Sequence, residues 1–139
     1  MALFDIFDIA GSAMGAESVR LNVTASNLAN AQSMGADEAS TYRARHPVFS
    51  AVMQSLHGSG GAQGVGVKVD GIVESQAPLR QQYQPGHPMA NEEGFVFLPN
   101  VNVVDEMSNM ISASRTYQSN VEVMNTSKQM VMATLRIGQ

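Results

Sequence analysis

The feature that most constrains this chain is an apolar repeat near its C-terminus, in which the spacing alternates between four and three residues without a break. The repeat comprises Val103, Met107, Met110, Ser114, Tyr117, Val121, Met124, Lys128, Val131 and Leu135. All but Ser114 and Lys128 are apolar, and a four-three alternation returns each side chain to one face of an α-helix. The sequence therefore predicts a heptad seam on a helix about 50 Å long.

The ends of this helix are marked as well. Asn102 is a candidate N-cap, and Asp105 and Glu106 suit the positive first turn. Arg136 and Gly138 are typical of a last turn and the stop that follows it.

Further apolar side chains lie off the predicted seam: Val104, Ile111, Val123, Met130 and Met132. They spread around much of the circumference, and a helix that is apolar on more than one face needs more than one neighbour. Five of the ten methionines lie in this helix. Methionine fills irregular cores and also serves adaptable binding surfaces, so both interpretations stay open.

The N-terminal region repeats the pattern. A second four-three series runs through Leu3, Phe7, Ala10, Met14, Glu17, Leu21, Thr24, Leu28 and Ala31. This predicts a second long helix to about residue 31. Gly11 and Gly15 each cost up to about 1 kcal/mol in a helix, so this helix is expected to be the weaker one alone.

The middle of the chain contains all five prolines and predicts strands and loops. The alternation of Val65, Val67 and Val69 predicts a half-buried strand, and Gly71 indicates a bulge that shifts its phase. The other predictions here are further strands at 42–48, 79–84 and 95–98, a turn at 85–88 and a flexible glycine-rich loop at 58–64.

These elements predict an α+β fold, in which long N- and C-terminal helices pair as a coiled-coil core beside a small β-rich middle subdomain. The expected boundaries are 1–31 for the N-terminal helix, 32–101 for the middle subdomain and 102–139 for the C-terminal helix. An intramolecular helical hairpin is the simpler interpretation. The length of the seams and their all-round apolarity favour an assembly domain instead.

The amino-acid composition limits the classes of function that this chain can have. Charged residues make up 14 %, well under the roughly 25 % of ordinary soluble domains, so the surface is poorly protected against self-association. A net charge of −4 without a basic run argues against nucleic acid as a partner. The absence of cysteine excludes disulfides and thiolate chemistry.

Few residues of the sequence are candidates for catalysis or for binding a metal or cofactor. His46, His57 and His87 have no metal-ligand spacing, and Glu92–Glu93 is typical of a solvated turn. The glycine tract precedes a predicted strand, whereas a phosphate-binding loop opens a helix. We therefore expect no enzyme activity, catalytic residue, metal, cofactor or small-molecule substrate. The N-terminus also lacks the features of a cleaved signal peptide, and no run of apolar residues is long enough to span a bilayer.

Several stretches resemble the flagellar rod and hook proteins, the axial proteins of the bacterial flagellum. Residues 20–31 contain the Asn27-Leu28-Ala29-Asn30 motif that this family shares. Stretches similar to its proximal-rod members lie at 3–14, 85–88, 99–104 and 110–115. A physical explanation of the motif is that asparagine side chains bond backbone groups where the N-terminal helix ends.

The resemblance implies a structural subunit of a hollow drive shaft that crosses the periplasm and transmits torque. It also implies that the paired N- and C-terminal helices are the tube-forming coiled-coil core of that shaft. It also implies export by the flagellar type III apparatus without a cleaved signal. The implied partners are other rod proteins and the adjoining inner-membrane ring or adaptor subunits. The alternative is a soluble helical coiled-coil adaptor or export substrate that is not a polymer subunit.

A rod subunit with such ends has a further expected property. Alone, each end buries too little apolar surface to repay the entropy of ordering it. We therefore expect both ends to be largely disordered in the monomer and to fold on docking.

Overall fold

The structure is a computed structural model that describes residues 2–53 and 65–137. In chain order its elements are α1 (Ala2–Asn30), β1 (Arg45–Met53), β2 (Val65–Glu74), β3 (Arg80–Tyr83), β4 (Phe95–Leu98) and α2 (Val103–Ile137). In the sequence, two long terminal helices flank a middle region that contains the strands, so the predicted α+β class is confirmed. The glycine tract and His57 lie outside the described residues, as does Gly138.

The two helices run antiparallel. Arg20 of α1 hydrogen-bonds Asn109 near the start of α2, whereas Ile6 lies beside Val123, further along α2. Because Ile6 lies level with Val123, Ala2 at the start of α1, four residues earlier, lies level with about Ser127. The last ten or so residues of α2 therefore extend about 15 Å past the first described turn of α1. We call residues 128–137 the α2 overhang.

The packing line on α2 differs from the predicted seam. The predicted Met110, Met124 and Val131 are half-buried, as expected. The deeply buried positions are instead Glu106, Ala113 and Ser127, each one residue before a predicted seam position, and they are 4 %, 0 % and 5 % exposed.

Small and polar side chains explain this shift. α1 also buries small or polar residues, namely Ala10, Ala16, Thr24 and Asn27. Small side chains let two helices approach closely, so the face with Ala113 and Ser127 turns inward. Bulkier residues such as Met107 are left on the outside, where it is 51 % exposed.

The caps of α2 agree with the sequence. The Asn102 side chain accepts a hydrogen bond from the Val104 backbone N–H at 3.1 Å, and its carbonyl accepts one from Glu106 at 3.0 Å. Asp105 and Glu106 lie in the first turn and Arg136 in the last. The predicted N-cap is confirmed.

The strands form two antiparallel pairs, β1 with β2 and β3 with β4. The register of the first pair shifts between Val48, opposite Gly71, and Phe49, opposite Val69, which leaves Asp70 as the extra residue of a bulge. The predicted bulge is confirmed. The strand predicted at 42–48 instead begins at Arg45 and runs to Met53.

The expectation of a half-buried β2 is wrong for most of the strand. Val65 and Val67 are 45 % and 37 % exposed, and only Gly66 and Val69 are half-buried. A two-stranded ribbon has no third strand to widen it, so the helix beside it covers only part of its surface.

The predicted turn at 85–88 is confirmed, and it lies in the loop that joins β3 to β4 in an antiparallel hairpin. Val96 in β4 is fully buried, as is Pro99 just after it. Gly94, immediately before β4, has a φ of 82°, and a Cβ there would lie 2.9 Å from the Tyr83 ring. Both the backbone conformation and the space demand glycine at this position.

We predict that Gly94→Ala lowers the free energy of unfolding by about 1–2 kcal/mol, because it forces a left-handed backbone and an overlap with Tyr83. Gly86→Ala is the matched control, since nothing lies within 4 Å of a Cβ there. Urea unfolding of both variants measures the difference. Equal midpoints would contradict the prediction.

Candidate assembly surfaces

The family motif places Asn27 at the junction of α1 and β1. Its side chain has no exposed surface. The Asn27 amide donates to the Arg45 carbonyl at 2.8 Å, and its carbonyl oxygen accepts from the Arg45 backbone N–H at 2.9 Å. These two hydrogen bonds have the same donor and acceptor pattern as two paired residues of neighbouring strands. The Tyr42 hydroxyl donates to the same Asn27 oxygen at 2.8 Å.

The other asparagine of the motif ends the helix. α1 stops at Asn30, whose side chain donates to the Ser26 carbonyl at 2.8 Å. The Asn30 carbonyl accepts from both the backbone N–H and the hydroxyl of Ser33. The interpretation that the motif marks the end of the helix is confirmed for Asn30. Asn27, by contrast, joins the first strand to the helix through its bonds to the Arg45 backbone.

A third asparagine ties the middle of the chain to the start of α2. The Asn100 carbonyl oxygen accepts from the Ala44 backbone N–H at 2.8 Å, and its amide donates to the Ala77 carbonyl at 2.8 Å. Val101 beside it packs in a small core with Ala31 and Ala44. Sequence reasoning missed Asn100 because a lone asparagine after a proline is indistinguishable from a turn residue.

A turn of residues 37–40 lies between α1 and β1. Hydrogen bonds from Ser40 hold the pKa of the Asp37 carboxyl below its usual range. The Ser40 backbone N–H lies 2.7 Å from Asp37 Oδ1. A carboxylate that accepts backbone N–H bonds is stabilised in its charged form, which fixes this exposed turn.

The predicted N-terminal seam lies mostly on the inner side of α1. Ala10 is buried, and Phe7, Met14, Leu21 and Leu28 are half-buried. The side chain of Leu3 lies outside the described residues. Ile6 and Ile9, which are off this seam, are exposed.

The predicted C-terminal seam is divided by the structure. Met110, Val121, Met124 and Val131 are half-buried. The others are exposed: Val103, Met107, Tyr117 and Leu135, by 38 %, 51 %, 36 % and 66 %. The role of both seams in assembly concerns contacts between chains, and it stays a prediction.

The exposed face of α2 is strongly apolar. Val104, Met107 and Ile111 follow one another at helical spacing and are 69 %, 51 % and 52 % exposed. They lie opposite the face that carries Glu106 and Ala113. Met130, Met132 and Leu135 are at least half-exposed on the overhang. Apolar surface of this extent marks an interaction site.

A polar layer interrupts the contact between the helices. Arg20 Nη2 donates to Asn109 Oδ1 at 3.2 Å, and Arg20 Nη1 lies 3.6 Å from Glu17 Oε2. That Glu17 oxygen is buried and has no hydrogen-bond partner in the described part of the chain. Glu106 is buried close by, in a cleft that Arg20 also lines. In the sequence, the charged Glu17 interrupts the apolar N-terminal seam, and this interruption coincides with the polar layer.

The structure also locates the remaining candidate residues. The His87 ring nitrogen accepts from the Met89 backbone N–H at 3.1 Å, so His87 is a turn residue. Glu92 and Glu93 are exposed in the turn before β4. Within residues 2–53 and 65–137, no three histidine or acidic side chains are grouped as metal ligands would be. Neither α1 nor α2, over its described residues, is apolar enough for long enough to cross a membrane.

Comparison with known proteins gives the family. Residues 7–36 match the family described as flagella basal body rod protein, and residues 92–137 match the C-terminal family of flagellar basal body rod FlgEFG proteins. The chain is 54 % identical to the flagellar basal-body rod protein FlgC of Salmonella typhimurium, 53 % to that of Escherichia coli and 50 % to that of Yersinia enterocolitica. Each match covers all of both chains. The chain belongs to the FlgC family of flagellar basal-body rod proteins.

The resemblance inferred from the motifs is therefore confirmed. The two family matches coincide with α1 and its following turn, and with α2 and the hairpin strand before it. The FlgC relatives are structural rod proteins by name, and this chain is a member of that structural family.

We predict that Asn27→Ala destabilises the fold by about 2–3 kcal/mol, because it removes a fully buried amide and with it the partners of the Arg45 N–H and carbonyl and of the Tyr42 hydroxyl. Asn30→Ala is the matched control and should cost less than about 1 kcal/mol, since it removes a single bond at a helix end. Thermal unfolding followed by circular dichroism measures both, at a protein concentration high enough for copies to associate and order their helices. Equal losses for the two variants would contradict the assigned role of Asn27.

Proposed function

We propose that this chain is a non-catalytic structural subunit of the proximal rod of the flagellar basal body. It assembles with itself and with other rod proteins through α1 and α2 into a hollow drive shaft that transmits torque. The observation that carries this proposal is the apolar stripe of Val104, Met107 and Ile111, which faces away from α1. One chain leaves this surface uncovered, and neighbouring rod subunits would bury it.

We assign the three parts of the chain to two layers of the rod. Residues 1–31 and 102–139 supply the helical assembly core, and residues 32–101 supply the β-rich outer layer. Asn27 and Asn100 bind this outer layer to the helices through buried or half-buried amide groups. A layer fixed in this way turns together with the core.

Membership of the flagellar rod family supports the proposed cellular setting. The subunit reaches the periplasm through the flagellar type III export apparatus without a cleaved signal peptide, and docks among other rod proteins and the adjoining inner-membrane ring or adaptor subunits. It has no nucleic-acid partner, no cofactor and no small-molecule substrate. The exposed stripe favours a polymer subunit over the alternative of a soluble adaptor, because neighbours in a rod would keep this apolar surface permanently buried.

We predict that Met107→Glu combined with Ile111→Glu abolishes swimming, because it places two charges in a surface that neighbours bury. The variant should incorporate into basal bodies at least about tenfold less, judged from the loss of two apolar contacts. Immunoblots of purified basal bodies and soft-agar motility measure this effect.

Ser108→Glu combined with Ser112→Glu is the matched control. Both serines are exposed at the same spacing but lie beside the apolar stripe. This control should swim and incorporate much better than the Met107 and Ile111 variant. If both variants incorporate as well as the unmodified chain, the stripe is not an assembly surface.

The two helices bury mainly small side chains against one another, which supports the prediction that both ends fold fully only on docking. In a dilute monomer, amides of residues 3–30 and 103–135 should exchange with solvent within minutes, as measured by heteronuclear NMR. Strong protection along both segments would show that the ends are folded before assembly.

A further inference from the structure

The strand β1 has two edges, and one of them pairs with β2. In an antiparallel ladder, alternate residues direct their backbone N–H and C=O groups toward the partner strand, and the residues between them direct theirs away from it. The Arg45 backbone bonds the Asn27 side chain, and the Val67 N–H donates to Ser12 Oγ at 3.1 Å, so both residues direct these groups away from the ladder. Ala51 lies opposite Val67 and therefore does the same.

The outer edge of β1 is thus made by its odd-numbered residues. Asn27 already occupies this edge at Arg45, and Pro47 has no N–H to offer. The next outward groups along the edge are the N–H and C=O of Phe49 and of Ala51. Both residues are exposed, and these four groups bond nothing else in the described part of the chain. Their spacing is the one that a third strand requires.

This edge differs from the other strand edges because it is uncharged and open. Soluble proteins commonly protect an exposed edge with charged residues, proline, a bulge or a covering segment. β2 has the bulge at Asp70, β3 begins with Arg80, and Gly35 covers β4 through two backbone bonds of 3.0 Å to Phe97. Residues 49–53 of β1 include no charged residue and no proline. Such an edge is suited to pairing with another chain.

The side chains beside this edge indicate which kind of strand fits it. The register places Phe49 and Ala51 on the same face of the ribbon as Val69 and Val67. This face is apolar and partly open, since Phe49 and Val67 are 41 % and 37 % exposed. A strand added beside β1 would place alternate side chains on this face, where apolar residues would pack against Phe49 and Ala51.

We propose that the outer edge of β1, from Phe49 to Met53, takes a strand from a different protein of the rod. The strand is an extended, uncharged segment with apolar residues at alternate positions. Backbone hydrogen bonds supply the affinity, and the apolar face selects the side chains, as in other cases of strand addition.

A second copy of this chain is a poor occupant of the edge. Pairing the same edge of two copies is self-complementary, so it closes a two-fold dimer and leaves neither edge for a further neighbour. The inference rests on the proposed function, since it names the kind of partner that the β-rich outer layer of the rod subunit binds.

The first test removes one outward N–H and leaves the β1–β2 ladder intact. Ala51→Pro does this, because a strand tolerates proline where the N–H faces an open edge. We expect basal bodies to contain at least about tenfold less of this variant, since a carbonyl of the incoming strand loses its donor and meets the proline ring. Immunoblots of purified basal bodies measure the amount.

Gln81→Pro is the matched control. Gln84, three residues later, donates its backbone N–H to the Gly94 carbonyl across the hairpin, so Gln81 directs its own N–H outward from β3. Gln81 is exposed between polar neighbours, and the control should incorporate as well as the unmodified chain. Equal incorporation of the two proline variants would overturn the proposal.

The second test uses the unmodified chain, so it decides the proposal even where the Ala51→Pro variant fails to fold. In purified basal bodies, the N–H groups of Phe49 and Ala51 should exchange with deuterium at least about tenfold more slowly than the outward N–H of Gln81. Mass spectrometry with fragmentation to single residues measures the exchange. Equally fast exchange at the two edges would overturn the proposal.

The third test identifies the source of the strand. The photoreactive residue p-benzoylphenylalanine in place of Phe49 should cross-link, within basal bodies, to an uncharged segment of another rod protein with alternating apolar residues. Cross-links to a second copy alone would overturn the proposal. If the unmodified chain incorporates and Ala51→Pro incorporates equally well, only the strand addition is wrong. Failure of the unmodified chain to incorporate would refute the proposed function itself.

Discussion

The structure depends on the way that α1 and α2 pack with small and polar side chains. Ala10 and Ala113 are almost completely buried, whereas Met107 and Ile111 are half-exposed. Small residues bring two backbones close but bury little apolar area for each residue. The two helices are therefore held together by the close approach of their backbones, and large apolar side chains such as Met107 and Ile111 stay exposed. An ordinary hairpin would place those side chains between its helices.

Much of this architecture is predictable from the sequence. The four-three spacing indicates both long helices, and proline confined to the middle indicates where they stop. The bulge near Gly71 and the turn at 85–88 follow from local chemistry, because glycine and proline restrict the backbone regardless of the rest of the fold. The Asn27-Leu28-Ala29-Asn30 motif is enough to identify the superfamily.

Which face of α2 turns inward is not predictable in the same way. Apolar periodicity marks the predicted seam through Met107, but the chain buries the line through Glu106 and Ala113 instead. A periodicity argument assumes that the largest apolar residues pack within the chain. That assumption fails when neighbouring chains bury them. The partners of Asn27 and Asn100 are hidden for another reason, since contacts far apart in the sequence leave no local pattern.

The asparagines explain how so small a β region holds its place on the helices. A two-stranded ribbon has little core of its own and is marginal in water. Asn27 supplies both a donor and an acceptor to the Arg45 backbone, so α1 behaves toward β1 as a third strand at that one residue. The Asn27 side chain in these bonds is fully buried, and a broken bond to a buried group costs more than a formed one gains. Any force on the outer layer is thus transferred to α1 through groups that resist separation, as a subunit of a rotating rod requires.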